Sequence, residues 1–167
     1  AGVSVYERDQ AIDQPDAVIP RVGAVLTEWN LFIVETLIRG GAQSPATADS
    51  LAVAADKARC AVVLAQAGVP TVPTYVLREE DALESTLSRL DGQDLVVKLP
   101  HGTQGRTVVG IKQEDNPREP ILAWMAQGHP VLVQPWIQMT RPRDLRVMVV
   151  GHQAIGAIWR VAKAGEF

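Results

Sequence analysis

LVVKLPHGTQGRTVVGI, residues 95–111, places a lysine inside an apolar run, then a glycine-rich turn, and then a second apolar run. Two β-branched runs separated by a short turn with glycine predict a β-hairpin. A Walker A loop would have its lysine after the glycines, and a dinucleotide-binding loop would open a helix, so neither pattern fits. What remains is a glycine-rich loop between two strands, which can fold over an anion and offer it backbone N–H groups.

Lys98 is the candidate anion ligand of this stretch, beside the loop at 102–105. Alternate residues of a strand point to the same side, so Lys98 shares a face with Val96. The alternative is an edge-strand lysine that discourages aggregation. The residues of this stretch alone leave both interpretations open.

The composition is that of an ordinary globular protein. Of the 167 residues, 47% are hydrophobic and 21% are charged, which fits one domain or two small ones. The net charge of -3 disfavours binding to DNA or other nucleic acids, which requires a basic surface. Cys60 is the only cysteine, so an internal disulfide is excluded.

Patterns for membrane insertion, secretion and metal binding are missing from the sequence. No apolar run reaches the about 18 residues that cross a bilayer, and no secretory signal pattern begins the chain. We therefore expect a cytoplasmic protein without a membrane partner. The histidines His101, His129 and His152 show no ligand spacing, so no metal site is predicted from them. Both ends of the chain look cut, which predicts a fragment.

Helical periodicity comes first along the chain, and strand-like alternation follows. We predict a buried strand over 16–23 and then helices over 27–39, 49–67 and 79–90. Further along we predict strands over 95–99, 108–111, 131–134, 145–150 and 154–159, with a short helix over 116–130. Helices combined with a mostly antiparallel β region indicate an α+β fold with at least two lobes.

The stretch VLVQPWI contains a candidate adenine-binding hinge. If a strand ends at Gln134, Pro135 offers a carbonyl and Trp136 offers an N–H. One acceptor and one donor on adjacent residues match the donor and acceptor at the edge of adenine. A proline that simply ends a strand is the alternative.

Two further stretches carry candidate ligands. Asp144 and Arg146 lie two positions apart on a predicted strand, so their side chains share a face. The acid could bind ribose hydroxyls and the arginine a phosphate or an acidic substrate. The alternative is a surface ion pair worth about 0–1 kcal/mol. Lys57 lies on the predicted helix over 49–67, where a lysine is ordinarily only solvated.

The order of these motifs resembles that of the RimK-type ATP-grasp ligases, the family that includes the ribosomal protein S6 glutamate ligase. The resemblance runs from about Asp16 to the last residue. It rests on the succession Asp-Lys, Val-Lys-Leu with Gly-Thr-Gln-Gly, Gln-x-aromatic-Ile, Asp-x-Arg and Gly-x-Phe. It implies an ATP-grasp fold, in which two α/β lobes sandwich ATP, preceded by part of an α/β pre-ATP-grasp domain.

The resemblance also implies a role for each matching residue. Lys98 and Lys57 would contact or approach the ATP phosphates, and Asp144 would help to hold the nucleoside. Arg160 would be the catalytic residue, near the site of phosphoryl transfer. The positions that would cover the phosphates or receive adenine are Gly102, Thr103, Gln104, Gly105, Gln134, Pro135 and Trp136.

The reaction implied by the resemblance is ATP-dependent ligation of a carboxylate to an amine. The carboxylate would be phosphorylated, and an amine such as that of glutamate would displace phosphate to form an amide or peptide bond. The enzyme would contribute positioning and charge neutralisation. The expected cofactors are ATP and Mg2+, with the metal ligands beyond Phe167. The expected partners are an amino-acid donor and a carboxylate acceptor such as a protein C-terminus.

The resemblance divides the chain into three parts. Residues 1–48 would be the remainder of a pre-ATP-grasp domain, residues 49–132 the small ATP-grasp lobe, and residues 133–167 the start of the C-terminal lobe. Two alternative functions remain open: a ligase of amino-acid biosynthesis, and a non-catalytic nucleotide-binding module without a metal site. The sequence also leaves homo-oligomerisation open.

Overall fold

A short β-hairpin lies near the start of the chain, where β1 (Tyr6–Glu7) pairs antiparallel with β2 (Gln10–Ala11). The sequence patterns did not predict this hairpin, because its strands are too short to show alternation. The computed structural model describes residues 4–21, 26–102, 107–138 and 143–162.

The buried strand predicted over 16–23 is wrong for the part that the structure describes. Within residues 16–21, Ala17 forms an isolated parallel bridge with Gln43, and no strand extends from it. Pro20 has no N–H to donate to a neighbouring strand, so the run cannot continue as a regular ladder. Residues 22–23 lie outside the described residues.

The helix predicted over 27–39 is confirmed as α1 (Glu28–Arg39). The Thr27 hydroxyl accepts a hydrogen bond from the Asn30 N–H at 3.1 Å, which satisfies one of the N–H groups left open at a helix start. The helix ends at Arg39, and Gly40 is its C-cap.

The helix predicted over 49–67 is wrong as a single element. The chain breaks at Asp56 into α2 (Ala48–Ala55) and α3 (Lys57–Gln66). Asp56 is extended, with φ −111° and ψ 112°, and its carboxylate accepts from the N–H groups of Ala58 and Arg59. Asp56 is therefore the N-cap of α3, and Lys57 is the first residue of that helix rather than a mid-helix position.

Four strands form one antiparallel sheet. In the order of the sheet they are β3 (Tyr75–Leu77), β6 (Val131–Pro135), β4 (Leu95–Lys98) and β5 (Val108–Ile111). The strands predicted around positions 95, 108 and 131 are confirmed. Strand β6 crosses the predicted lobe boundary at position 132, because all of its residues belong to this sheet.

Two short helices complete this layer, and both are shorter than predicted. A 3₁₀ turn (Glu80–Ala82) precedes α4 (Leu83–Arg89), and α5 (Arg118–Met125) precedes β6. Both helices contribute to one hydrophobic core with the sheet, in which Val97 and Ile121 each have 0% exposure. Since alternate residues of β4 point to opposite faces, Val97 faces this core and Lys98 faces the other side.

The last described element is a long hairpin, in which β7 (Arg143–Val150) pairs antiparallel with β8 (Gln153–Val161). The strands predicted over 145–150 and 154–159 are confirmed and extend further. The register places Asp144 opposite Arg160. Among the described residues, no helix has the length and apolar character needed to span a membrane.

Candidate functional site

A cleft of about 700 Å³ lies between the four-stranded sheet and the β7–β8 hairpin. Six residues predicted from the sequence line it, although they come from distant parts of the chain, whereas Lys57, Gly102 and Arg146 are not among its lining residues. Its walls are formed by Val72, Val96, Lys98, Gln134, Pro135, Trp136, Ile137, Arg143, Asp144, Arg160, Val161 and Ala162. Pairing of β4 with β6 and of β7 with β8 places these side chains around one space.

Lys98 lies half-buried in the wall of this cleft. Its Nζ donates a hydrogen bond to the side-chain oxygen of Gln134 at 2.7 Å, and the described residues supply it with no carboxylate partner within 4 Å. Burial lowers the pKa of Lys98 from its ordinary value of 10.5, and the nearby charge of Lys57 lowers it further. A buried cation without an opposite charge attracts anions strongly, since little solvent screens it.

Lys57 lies at the entrance to the glycine-rich loop. Its backbone N–H donates to the Pro100 carbonyl at 3.0 Å. Its ammonium donates to the carbonyls of Leu99, Pro100 and Gly102 at 3.2, 3.3 and 3.1 Å. Burial lowers the pKa of Lys57, and the neighbouring Asp56 carboxylate partly offsets this effect. The lysine thus ties the helix start to the loop start and brings a second positive charge near Lys98.

Gly102 begins the loop in a backbone conformation that other residues rarely adopt, with φ +129°. An added Cβ would also collide with the side chain of Thr107, whose own Cβ would lie 2.9 Å away. Leu99 donates to the Thr107 carbonyl at 3.0 Å, which closes the two strands beneath the loop. The predicted loop residues Thr103, Gln104 and Gly105 lie outside the described residues.

The predicted hinge lies on the cleft, but its expected donor has another partner. The Trp136 N–H donates to the Asp94 carbonyl at 2.7 Å, so the adjacent pair of Pro135 carbonyl and Trp136 N–H does not face the cleft together. Backbone groups alternate along a strand, so the Pro135 carbonyl at the end of β6 is directed to the side away from Asp94. The same alternation, continued past β6, would direct the Ile137 N–H to that side. Ile137 lines the cleft and was missed, although its position two residues after Pro135 was visible in the sequence.

Asp144 and Arg160 form an ion pair across the hairpin. The guanidinium Nε lies 3.0 Å from both carboxylate oxygens of Asp144, and Nη2 lies 2.8 Å from Oδ1. The Nε of Arg146 is more distant, at 3.6 Å. The hydrogen bond from Arg160 lowers the pKa of Asp144 from its ordinary value. The sequence placed Asp144 and Arg146 on one face but could not show that Arg160 is the closer partner.

The charges of the site suit a ligand that carries several negative charges. Three cations, Lys98, Arg143 and Arg160, line the cleft together with one acid, Asp144. Lys57 adds a further positive charge at the start of the loop. Apolar surface from Val72, Val96 and Ile137 provides room for a flat, uncharged part of the same ligand. Within the described residues, no group of three or more His, Cys, Asp or Glu side chains is arranged to hold a metal ion.

Solved structures with the same arrangement define the class of fold. The structure of a RimK domain ATP-grasp protein from Sphaerobacter thermophilus aligns with a TM-score of 0.66 over 80% of this chain and 51% of that chain, at 23% identity. N5-carboxyaminoimidazole synthetase from Staphylococcus aureus, solved with ADP, aligns with a TM-score of 0.57 over 69% of this chain and 30% of that chain, at 17% identity. The predicted α+β ATP-grasp fold is therefore confirmed.

Within that class, the chain belongs to the RimK-like ATP-grasp domain family, whose model matches residues 54–167. A probable alpha-L-glutamate ligase of Pectobacterium carotovorum is 31% identical over 100% of this chain and 55% of its own length. The ribosomal protein bS6–L-glutamate ligase of Escherichia fergusonii is also 31% identical, over 100% of this chain and 56% of its own length. The chain thus spans about half the length of the curated relatives that it matches.

Proposed function

We propose that this chain is the nucleotide-binding part of an ATP-dependent carboxylate–amine ligase. The observation that carries the proposal is Lys98, a half-buried cation on the cleft face of β4 with an amide rather than a carboxylate as its partner. Membership of the RimK-like family and the glutamate-ligase names of two relatives support it. The ADP bound by a protein of the same fold supports a nucleotide as the ligand of the cleft.

Each residue of the cleft would have a separate role in binding ATP or in phosphate transfer. Lys98 would bind the phosphates, and Lys57, whose ammonium donates to three carbonyls at the loop start, would add a positive charge near them. The Pro135 carbonyl with the Ile137 N–H would receive adenine. Arg160, oriented by Asp144, would stabilise the negative charge that develops as phosphate is transferred. ATP supplies the phosphoryl group that turns a carboxylate into a species from which an amine can displace phosphate. The protein would contribute orientation and electrostatic stabilisation.

For the substrates, we propose glutamate as the amino-acid donor and a protein carboxyl group as the acceptor, following the names of the relatives. Mg2+ would accompany the phosphates, as is usual for ATP. The described residues contain no group of three or more His, Cys, Asp or Glu side chains that could hold it. We further propose that the chain consists of the remainder of a pre-ATP-grasp domain, a small ATP-grasp lobe and the start of a C-terminal lobe. The second boundary would lie after Pro135, because β6 ends there.

The proposal is tested by measuring the affinity of ATP for the Lys98→Met variant by calorimetry. We expect at least a tenfold loss, because the substitution removes a charge-assisted contact with phosphate at similar side-chain length. Arg39→Met is the control, since it removes one positive charge from α1, outside the matched family region. If Lys98→Met bound ATP as tightly as the unchanged protein, the phosphate role of Lys98 would be rejected.

The activity itself is tested with the protein at its full natural length. Incubation with ATP, Mg2+ and single amino acids, followed by mass spectrometry of candidate acceptors, should show a mass increase of one or more glutamate residues. An increase with another amino acid would correct the proposed donor. ATP binding without any ligation product would favour the non-catalytic module.

A further inference from the structure

We propose that Thr74, a residue outside the predicted site, positions Lys98 by fixing the orientation of the Gln134 side-chain amide. The proposal rests on the function proposed above, in which Lys98 binds phosphate. The Gln134 side-chain nitrogen donates to the Thr74 hydroxyl at 2.7 Å, and the Gln134 side-chain oxygen accepts from Lys98 Nζ at 2.7 Å. The Gln134 amide therefore links the Thr74 hydroxyl to the Lys98 ammonium, and these three side chains are called the relay below.

In this series of hydrogen bonds, the chemistry of each group decides which atom donates and which accepts. The Val72 carbonyl can only accept, so the Thr74 hydroxyl donates its single proton there, at 2.9 Å. The hydroxyl oxygen is then an acceptor for Gln134, which must present its NH₂ group to Thr74. The amide oxygen consequently faces Lys98, whose ammonium can only donate. Without Thr74, the hydrogen bond to the ammonium would be the remaining one of these two contacts that orient the amide.

The strand register explains why these three side chains meet. Tyr75 pairs with Val133 in β3 and β6, which brings the preceding Thr74 beside Gln134. Gln134 pairs with Val96 of β4, and Lys98 lies two residues further along the same face. Diagonal neighbours of this kind are within reach of long side chains. The relay therefore runs from the residue that precedes β3, across β6, to β4, where Gln134 and Lys98 line the cleft.

The relay holds the ammonium without neutralising it. A carboxylate in place of the Gln134 amide would also accept from Lys98, but its charge would cancel much of the attraction for phosphate. The amide takes one of the three N–H donors of the ammonium. Within the part of the chain that the structure describes, the other two donors have no recorded acceptor, so they and the charge can bind an anion in the cleft. Thr74 is thus a positioning residue for ATP binding, not a ligand.

The test is the ATP affinity of Thr74→Val, a substitution that removes the hydroxyl and keeps the side-chain shape. We expect a loss of about three- to tenfold, the size of one weakened hydrogen bond to a charged group. Thr74→Ser restores the hydroxyl and should bind ATP within about twofold of the unchanged protein. Thr27→Val is the matched control, because it also removes one hydrogen-bonded threonine hydroxyl but lies at the start of α1.

A double-mutant cycle separates positioning from general loss of structure. In the Lys98→Met background, Thr74→Val should cause no further loss of affinity, since the relay has lost its end point. If Lys98→Met binds ATP too weakly for titration, Gln134→Leu replaces it in the cycle. Thr74→Val should again cause no further loss of affinity in that background. Additive losses in the cycle would overturn the proposal, as would wild-type affinity of Thr74→Val. If Lys98→Met itself bound ATP normally, the proposed function of Lys98 would fail, and the role of Thr74 would fail with it.

Discussion

Single residues in the cleft differ in how their charges are compensated. Lys98 is held by a neutral amide, and Lys57 by three backbone carbonyls. Arg160 is held by the carboxylate of Asp144. The two lysines keep their charge for an incoming anion, whereas Arg160 is oriented by an ion pair that salt and acid weaken. The ion pair with Arg160 can be followed through the pKa of Asp144.

We expect the pKa of Asp144 in the folded protein to lie below its ordinary value of 3.8, because Arg160 donates to the ionised carboxylate. A lowered folded pKa means that the stabilisation by this pair is complete above the unfolded value. It is lost as the pH falls through the folded value. The pKa can be measured by carbon NMR titration of the Asp144 carboxyl group.

Arg160→Gln should raise this pKa towards 3.8, and Arg146→Gln should raise it less, because the Arg146 Nε lies 3.6 Å from the carboxylate. Both variants remove one positive charge from the same hairpin, so they form a matched pair. An equal or larger effect of Arg146→Gln would show that the assigned pairing is wrong.

At the scale of secondary-structure elements, the break between α2 and α3 puts Lys57 where it can reach the loop. A continuous helix would carry this lysine as a mid-helix residue, and its backbone N–H would bond within the helix. The break frees that N–H for Pro100. Alanine-rich sequence on both sides favours helix throughout, so the break depends on the capping bonds of Asp56.

Asp56→Ala should lower the free energy of unfolding by about 1 kcal/mol, the usual cost of losing an N-cap. Asp56→Asn should retain most of this energy, because its side-chain oxygen can still accept from Ala58 and Arg59. Urea denaturation of both variants measures the difference. Equal stability of the alanine and asparagine variants would argue against capping as the reason for the break.

The start of the glycine-rich loop gives a second prediction at this scale. Gly102→Ala should weaken ATP binding as well as folding, because the new Cβ meets Thr107 and displaces the loop. Gly41→Ala has the matching backbone strain, with φ +112°, but its Cβ would meet no atom within 4 Å. Nucleotide titration of both variants should therefore show a loss for Gly102→Ala alone. Similar affinities of the two variants would remove the loop start from the site.

At the scale of the whole molecule, β4 separates the core from the cleft. Its inward residues Leu95 and Val97 pack against the helices, and its outward residues Val96 and Lys98 line the site. One strand therefore contributes both to the core and to the site. Substitutions at its core-facing residues should lower stability, whereas substitutions at its cleft-facing residues should lower ATP affinity.

Val97→Ala should lower the free energy of unfolding by about 2 kcal/mol, from lost burial and the cavity left behind. Val76→Ala in β3 is the control, since Val76 is 50% exposed in the same sheet and should cost much less. Thermal or urea denaturation checks both. A Val97→Ala variant as stable as Val76→Ala would contradict the location of the core.

The linear pattern of residues was enough to predict much of this protein. Helix α1 and the strands around Lys98, Gln134 and Asp144 follow from capping residues and alternation, which are local properties. The α+β class and the ATP-grasp family follow from the order of short motifs. The pattern failed at Pro20 and Asp56, where a single residue overrides the periodicity of its neighbours.

Only the tertiary structure decided which side chains and backbone groups meet. The partner of Lys98 is Gln134, which the pairing of β4 with β6 brings within reach, and the partner of the Trp136 N–H is the carbonyl of Asp94. Arg160 rather than Arg146 is the closer partner of Asp144, because the hairpin register places it directly opposite. Contacts between residues far apart in sequence depend on register and packing. Register and packing between distant segments cannot be read from the composition or the periodicity of one segment.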